Sequence, residues 1–404
     1  MHAMVEQPRS APFWTRRVAP VFHRLLDRID AGLAQGAIDA RLPDGTRRLI
    51  GGRADGPVAE ITIVRWRAMR RLVTGGSIGW YEAWAAGDWT SPDPVPIFDL
   101  FMRNRATLGN VARAKRGVRI AARLLHALRH NDRRNARRNI AAHYDLGNDF
   151  YQTWLDPSLT YSSALFAAGD TLETAQHRKL DAIIDRAAVP SGGSLLEIGC
   201  GWGSLAEAAG RRGIGVRAIT LAREQQRHVA DRTRGLPVAV SITDYRDVTG
   251  RYDAVASIEM VEAVGERYWN DYLAAVARAL KPGGRAAIQF IKIADDIWSS
   301  YSANVDFIQA HVFPGGMLIH EPQFRALAQS NGLSWQDRHA FGLDYAETLR
   351  LWRERFEAAA DAAHLPARFD RGFIDLWRYY LMYCEGGFRG GGIDVVQVTL
   401  VKAE

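Results

Sequence analysis

In the second half of the chain, apolar positions occur in two different patterns, one typical of helices and one typical of buried strands. Segments with helical spacing begin near Ser204, at Arg223 and at Glu266. Between them lie short apolar runs typical of buried strands, at 195–198, 215–220, 237–243, 252–260 and 285–291. Strands separated by helices of about 10 to 15 residues indicate an α/β fold with a doubly wound, mostly parallel sheet. Such a sheet binds its ligand at the carboxyl ends of the strands, where the strand order reverses.

The first part of the chain has a different pattern. It contains a turn at 43–45, a strand-like run from Glu60 and an aromatic-rich segment from Ile78, without an evident catalytic constellation. These features predict a small α+β domain over 1–110. A helical linker over 111–140 would then lead into the larger domain over 141–404.

The predicted linker carries an unusual charge. Residues 111–140 contain ten basic side chains and one acidic one, a net charge of +9, whereas the whole chain carries +7. Apolar residues recur at helical spacing among them, at Val118, Ala122, Leu125 and Leu128. A basic amphipathic helix suits an anionic surface, either phospholipid headgroups or nucleic acid. The alternative is a solvated helix that only joins two domains.

Composition narrows the class of protein. With 404 residues, 47% of them hydrophobic, the chain can build a core in each of two domains. No window approaches the ~20 consecutive apolar residues of a membrane span, and no secretory signal is evident, so we expect a cytoplasmic protein. Cys200 and Cys384 lie far apart without CxxC spacing, which predicts free thiols and no metal site.

The stretch LLEIGCGWGSL at 195–205 places a glycine-rich turn between a strand and a helix. A dinucleotide site would need GxGxxG and an acidic residue about 20 positions later, but the glycines are Gly199, Gly201 and Gly203, and the second strand ends at the neutral Thr220. S-adenosylmethionine has no phosphates and needs close approach of the backbone, which glycine permits. Plain tight turns are the alternative interpretation of these glycines.

The order of LLEIGCGWG, IT, YDAVASIEM and LKPGG resembles the Rossmann-like class I methyltransferases. Further motifs lie outside this core: AAHYDLGNDFYQTWLDPSLTYSSALF (141–166), SIEMVEAVG (257–265), FPGGML (313–318) and FGLDYAETLRLWRERF (341–356). Together they resemble the cyclopropane-fatty-acyl-phospholipid synthase family, across nearly the whole chain. The resemblance implies transfer of a methyl group from S-adenosylmethionine to a cis double bond of a phospholipid acyl chain. A carbocation then loses a proton from the new methyl, and a cyclopropane ring closes.

The resemblance also implies the residues of the site. Cofactor-binding positions would be Tyr161, Ser162, Gly199, Gly201, Thr220, Leu221, Gln225 and Tyr245. A bound bicarbonate ion would act as the base, held by Ser163, Glu262, Gln289, Ile291 and Tyr345. An anion beside Glu262 is tolerable if bicarbonate donates its own proton to that carboxylate. The ring of Tyr345 could stabilise the cation by about 2 kcal/mol when desolvated.

Two positions depart from the family pattern. Many members have cysteine where this chain has Ser163, and histidine where it has Gln289. Serine and glutamine still donate hydrogen bonds to an anion. The departures bear on the product, because a cation that keeps its methyl hydrogens can shift hydride and give a methyl-branched chain, saturated or unsaturated.

Two other classes of protein compete with a lipid C-methyltransferase. A nucleic-acid methyltransferase is favoured only by the basic segment, and the chain has no NPPY-type or paired-cysteine catalytic motif. A non-catalytic cofactor binder is disfavoured by Glu262 and Tyr345. We therefore predict unsaturated phospholipid acyl chains as substrate, an anionic membrane surface contacted through 111–140 on the inner face of the membrane, and no nucleic-acid partner. A homodimer is compatible with the sequence, which does not determine the oligomeric state.

Overall fold

A computed structural model of the chain describes residues 13–109 and 146–404. Contacts between residues divide the chain into two units, Met1–Ile120 and Ala121–Glu404. The basic segment 111–140 lies outside the described residues, so its helix remains a prediction.

The first unit is built on a four-stranded sheet with the order β2-β1-β3-β4. Strands β1 and β3 are parallel, and the other two pairs are antiparallel. Asp88 is fully buried and accepts hydrogen bonds from Arg65, Arg67 and Arg71, which fixes the start of α2 against the β4 turn. The α+β character predicted for this part of the chain is confirmed, and the bounds 1–110 remain a prediction. Its elements are α1 Phe13–Gly32, β1 Ala37–Arg41, β2 Arg47–Gly51, β3 Val58–Ile63, α2 Arg67–Ala85, β4 Trp89–Thr90, α3 Val95–Arg103 and α4 Arg105–Leu108.

The second unit contains a seven-stranded sheet with the order β10-β11-β9-β8-β5-β6-β7. Strands β5 to β9 are parallel to their neighbours, and β10 and β11 add an antiparallel edge. The predicted doubly wound, mostly parallel sheet is therefore confirmed. Its strands are β5 Ser194–Ile198, β6 Gly215–Thr220, β7 Val238–Ile242, β8 Tyr252–Ile258, β9 Leu280–Ile293, β10 Leu333–Ala340 and β11 Ile393–Lys402.

Helices of the second unit cover both faces of this sheet. Leu180, Ile183 and Leu205 pack on one face, and Trp269 and Phe324 pack on the other. The helices are α5 Asn148–Gln152, α6 Leu172–Ala187, α7 Ser204–Arg211, α8 Arg223–Arg232, α9 Trp269–Ala279, α10 Asp295–Tyr301, α11 Phe307–His311, α12 Glu321–Ser330, α13 Gly342–Asp361 and α14 Arg371–Arg389.

Two strands differ from their predicted bounds by two residues or more, each for a local reason. Strand β9 begins at Leu280, before the predicted KPGG turn. Its pairing with β8 passes from Leu280 directly to Arg285, so residues 281–284 form a bulge within the strand. Strand β8 ends at Ile258 because Glu259 adopts a left-handed backbone with φ of 48°. That second deviation lies inside the site described next.

Candidate active site

A cavity opens at the carboxyl ends of β5, β6 and β8, where β5 lies between its two parallel neighbours and the strand order reverses. Its volume is about 1130 Å³ when counted to its open mouth. All eight residues predicted to bind the cofactor line this cavity: Tyr161, Ser162, Gly199, Gly201, Thr220, Leu221, Gln225 and Tyr245. The structure thus brings together residues from segments more than 80 positions apart.

The glycine turn forms the floor of the cavity. The backbone N–H groups of Gly199 and Cys200 both donate to the carbonyl of Ile219, which ties the turn to β6. Gly201 has a φ of 51°, and a Cβ atom there would meet no heavy atom within 4 Å. At Gly199, by contrast, a Cβ would lie 2.6 Å from Cγ of Met260. Glycine is needed at both positions, at Gly201 to keep a cradle open and at Gly199 to avoid a clash.

The end of β6 presents a neutral hydrogen-bonding pair. The hydroxyl of Thr220 accepts from the N–H of Ala222 at 3.1 Å and donates to Oε1 of Gln225 at 2.7 Å. This fixes the amide of Gln225, whose buried Nε2 has no hydrogen-bond partner among the described residues. An orphaned donor in a cavity fits a ligand acceptor such as a ribose hydroxyl.

Several ionisable side chains of the cavity were not predicted from the sequence, and two of them are Glu197 and Lys179. Glu197 lies inside β5 and is buried, and its Oε2 has no hydrogen-bond partner in the described part of the chain. Burial raises the pKa of Glu197 to about 8. Lys179 is fully buried and donates to the hydroxyl of Ser162 at 2.6 Å, and burial lowers its pKa to about 8. The signal for Glu197 was present, as an acidic residue inside an otherwise apolar strand.

These features fit S-adenosylmethionine. The unpartnered Oε2 of Glu197 suits the ligand's cationic α-amino group, and the open cradle at Gly201 suits close approach of its methionine part. Asp244 caps the turn that carries Tyr245, through an N–H of Arg246 at 3.0 Å. Tyr245 lines the cavity and packs edge-on against Tyr272, with ring centroids 5.6 Å apart.

On the far side of the cavity, three of the residues predicted to hold bicarbonate converge on Glu259. The backbone N–H of Ser163 donates to its Oε1 at 2.9 Å, and Nε2 of Gln289 donates to the same oxygen at 2.8 Å. The hydroxyl of Tyr345 donates to Oε2 at 2.7 Å. The hydroxyl of Ser163 instead donates to the carbonyl of Ala164. Glu259 was not among the residues predicted from the sequence, and the bicarbonate ion remains a prediction.

The other two predicted residues form a second, adjacent pair. The backbone N–H of Ile291 donates to Oε1 of Glu262, and Oε2 of Glu262 has no partner among the described residues. Burial, and next the charge of Glu259, raise the pKa of Glu262 to about 8. Two carboxyl groups this close cannot both be ionised cheaply, so Glu262 is the one that keeps its proton near neutral pH. The five predicted residues therefore divide between two carboxyl groups.

Aromatic rings surround this part of the site. The ring of Tyr345 lies 4.4 Å from that of Phe388 and 6.1 Å from that of Trp352. Trp352 also packs against Tyr161, whose hydroxyl is 2.9 Å from that of Tyr380. The π faces of aromatic rings beside a buried site can stabilise a developing cation.

No helix in the described part of the chain is long and apolar enough to cross a membrane. Among residues 13–109 and 146–404, no cluster of His, Cys, Asp or Glu could hold a metal ion. Cys200 and Cys384 are free thiols, as expected, and burial raises the pKa of both.

The doubly wound sheet, its cavity at the switch point and the orphaned polar groups in that cavity define an S-adenosylmethionine-dependent methyltransferase. The family model described as mycolic acid cyclopropane synthetase matches residues 131–398. The chain belongs to this family, so the resemblance stated from the sequence is confirmed.

Individual relatives cover most of the chain. It is 39% identical over 403 residues to the tuberculostearic acid methyltransferase UfaA1 of Mycobacterium tuberculosis. The matched region covers 95% of this chain and 91% of that protein. The chain is 34% identical over 348 residues to the cyclopropane-fatty-acyl-phospholipid synthase of Escherichia coli, covering 85% and 88%. The structure of mycolic acid cyclopropane synthase CmaA1 complexed with SAH and CTAB matches with a TM-score of 0.62 and 28% identity, covering 66% of this chain and 98% of that one.

Proposed function

We propose that this protein methylates a cis double bond of an unsaturated phospholipid acyl chain and forms a cyclopropane fatty acid. The proposal depends mainly on one observation, which is that the cofactor cavity and the buried carboxyl network share Glu259. A cavity fitted to S-adenosylmethionine borders a buried carboxyl network inside an aromatic wall. The named activities of the relatives, fatty acid methylation and cyclopropane synthesis, support the same chemistry.

S-adenosylmethionine, when bound, supplies a methyl group on an electrophilic sulfonium. An alkene is an uncharged nucleophile, so no base is needed for attack, and the positive charge moves to the acyl chain. The rings of Tyr345 and Trp352 would stabilise that charge, and the hydrogen bond from Tyr345 to Glu259, which lines the cavity, supports this role. Ring closure then requires a proton acceptor near the new methyl group, and the carboxyl group of Glu259 lines that side of the cavity.

A methyl-branched product is the second candidate. The departures at Ser163 and Gln289 favour it, as does the name of the 39% identical relative, a methyltransferase. If the proton is lost from the acyl chain instead of from the methyl group, the chain keeps an intact methyl branch. This unsaturated branched product has the same gain in mass as the cyclopropane and differs from it in structure.

The proposal is tested by incubating the protein with S-adenosylmethionine and vesicles of unsaturated phospholipid. Mass spectrometry should show acyl chains heavier by one methylene unit, and proton NMR should show the high-field resonances of a cyclopropane. Vesicles with only saturated chains are the control and should gain nothing. An olefinic or methyl-branch spectrum would select the second candidate, and an unchanged lipid pool would refute both.

We further propose that the basic segment 111–140 holds the protein on the cytoplasmic, anionic face of the membrane, where such a substrate lies. Each basic residue near an anionic surface contributes about 1 kcal/mol to binding. A variant with glutamine at four of them should therefore bind anionic vesicles much more weakly, with a smaller salt dependence. The four are Arg133, Arg134, Arg137 and Arg138.

A charge-matched control distinguishes the effect of this segment's charges from the effect of lowering the net charge of the whole protein. Glutamine replaces four exposed arginines of the second unit, and vesicle binding should change little. These are Arg211, Arg227, Arg234 and Arg371. Equal weakening by both sets would contradict a role for the segment, and preference for duplex nucleic acid over vesicles would revive the nucleic-acid interpretation.

A further inference from the structure

Glu259 is the buried carboxyl group of the site to which no role has yet been given. We propose that the side chain of Glu259 is itself the proton acceptor of the reaction, in place of a separate bound anion. The inference rests on the proposed function and names the catalytic base of that same site.

The hydrogen bonds of Glu259 are those of a carboxylate. Three groups on three separate segments donate to it, at 2.7 to 2.9 Å, and both carboxyl oxygens receive at least one bond. Donors that converge in this way favour the ionised form of a carboxyl group and hold its orientation. They are also the donors that a free anion would need. Because Glu259 already takes their hydrogen bonds, a second anion there would meet both a negative charge and occupied donors.

Neighbouring charges fit the same role. Burial raises the pKa of Glu259, and the hydrogen bonds from Tyr345, Ser163 and Gln289 and the charge of Lys179 oppose that rise. A carboxyl group whose pKa is raised above its ordinary value is a stronger base than an exposed one, which suits a proton acceptor near neutral pH. Glu262 beside it remains protonated and adds no second negative charge.

The backbone conformation of Glu259 directs its side chain into the cavity. Its φ of 48° is unusual for a residue other than glycine, and it ends strand β8 so that the side chain lines the cavity beside Tyr161 and Ser162. Its own N–H is held by the carbonyl of Gln289 at 2.8 Å. Strained residues that persist inside a site mark positions where geometry has been selected over local stability.

The proton step is balanced without any further reactant. A C–H bond of the transferred methyl breaks, its electron pair forms the carbon–carbon bond to the cationic carbon, and the proton moves to a carboxylate oxygen of Glu259. The protonated Glu259 then returns its proton to solvent before the next turnover.

Bicarbonate dependence distinguishes this base from a bound anion. Wild-type turnover on unsaturated phospholipid vesicles is measured in buffer freed of carbon dioxide and again with added bicarbonate. We expect the two rates to agree within about twofold. A strong requirement for bicarbonate in the wild type would overturn the inference, and this arm needs no variant.

Two substitutions complete the test. Glu259→Gln keeps the shape and removes the base, so turnover should fall by about 10² or more. Glu259→Gly removes the side chain, accepts the positive φ and exposes the three donors, so its lost turnover should be partly restored by bicarbonate. Calorimetric affinity for S-adenosylhomocysteine should stay within about threefold in both variants, which shows that the site is folded. Glu354→Gln, on the exposed side of α13, is the control and should have wild-type turnover.

The results separate the two proposals. If the wild type methylates the lipid and Glu259→Gln does so at the wild-type rate, only the role of Glu259 is refuted. If the wild type methylates no lipid, the proposed function fails and the inference fails with it.

Discussion

The two sides of the cavity are built in different ways. The cofactor side consists of a continuous turn and the ends of two adjacent strands, and much of its shape comes from backbone and glycine. The acceptor side consists of groups from four separate segments, because the side chains of Gln289 and Tyr345 and one backbone N–H, from Ser163, meet at the carboxyl of Glu259. A site made of backbone can be inferred from a short motif, whereas a site made of converging side chains depends on the packing of the whole unit.

A substitution in the glycine turn should have the largest effect and should affect only the cofactor side. A valine at Gly201 would place its side chain in the open cradle, so Gly201→Val should abolish calorimetric binding of S-adenosylmethionine. Gly213→Val is the matched control, since Gly213 also has a positive φ of 76° and open space around it but does not line the cavity. It should be destabilised yet still bind. Equal loss of binding in both variants would mean that backbone strain, not the cradle, explains the result.

The pH dependence of stability compares the two sides directly. The pKa is raised from 4.5 to about 8 for Glu197 on the cofactor side and for Glu262 on the acceptor side. Between those values the unfolded chain has released the proton while the folded chain retains it. The stabilisation is therefore complete below about pH 4.5 and is lost as pH rises to about 8, at up to about 1.4 kcal/mol per pH unit for each group.

Chemical unfolding at several pH values, without cofactor, tests this. Glu197→Gln and Glu262→Gln should each flatten the decline between pH 5 and 8, by similar amounts. Only Glu197→Gln should also weaken the binding of S-adenosylmethionine. Unfolding curves as steep in pH as those of the wild type would show that these groups ionise normally in the folded chain.

The smallest effect is expected from removing one donor on the acceptor side. Tyr345→Phe deletes a hydrogen bond to Glu259 and leaves the aromatic packing, so kcat should fall by about tenfold while cofactor affinity is unchanged. The kcat profile should also shift to higher pH, since the pKa of Glu259 rises when a donor is lost. A lower affinity for the cofactor with unchanged kcat would place Tyr345 on the other side of the cavity.

The fold and the cofactor side could be predicted from the sequence because their signals are local. The apolar runs indicated the parallel strands, and the glycine turn with the neutral Thr220 indicated the type of cofactor. The role of Glu259 could not be predicted, because it depends on contacts with Ser163, 96 positions earlier, and Tyr345, 86 positions later. A strand prediction that ran through Glu259 also hid the backbone turn that aims its side chain into the cavity.

The fate of the methyl hydrogens tests the central claim most directly, which is that the two sides act in sequence on one methyl group. The protein is incubated with unsaturated phospholipid vesicles and S-adenosylmethionine whose methyl group carries three deuterium atoms. Mass spectrometry of the acyl chains should show that two of the three deuterium atoms are retained, because one leaves to the acceptor side when the ring closes. Retention of all three in the lipid would contradict the account, since the proton would then have come from elsewhere in the chain.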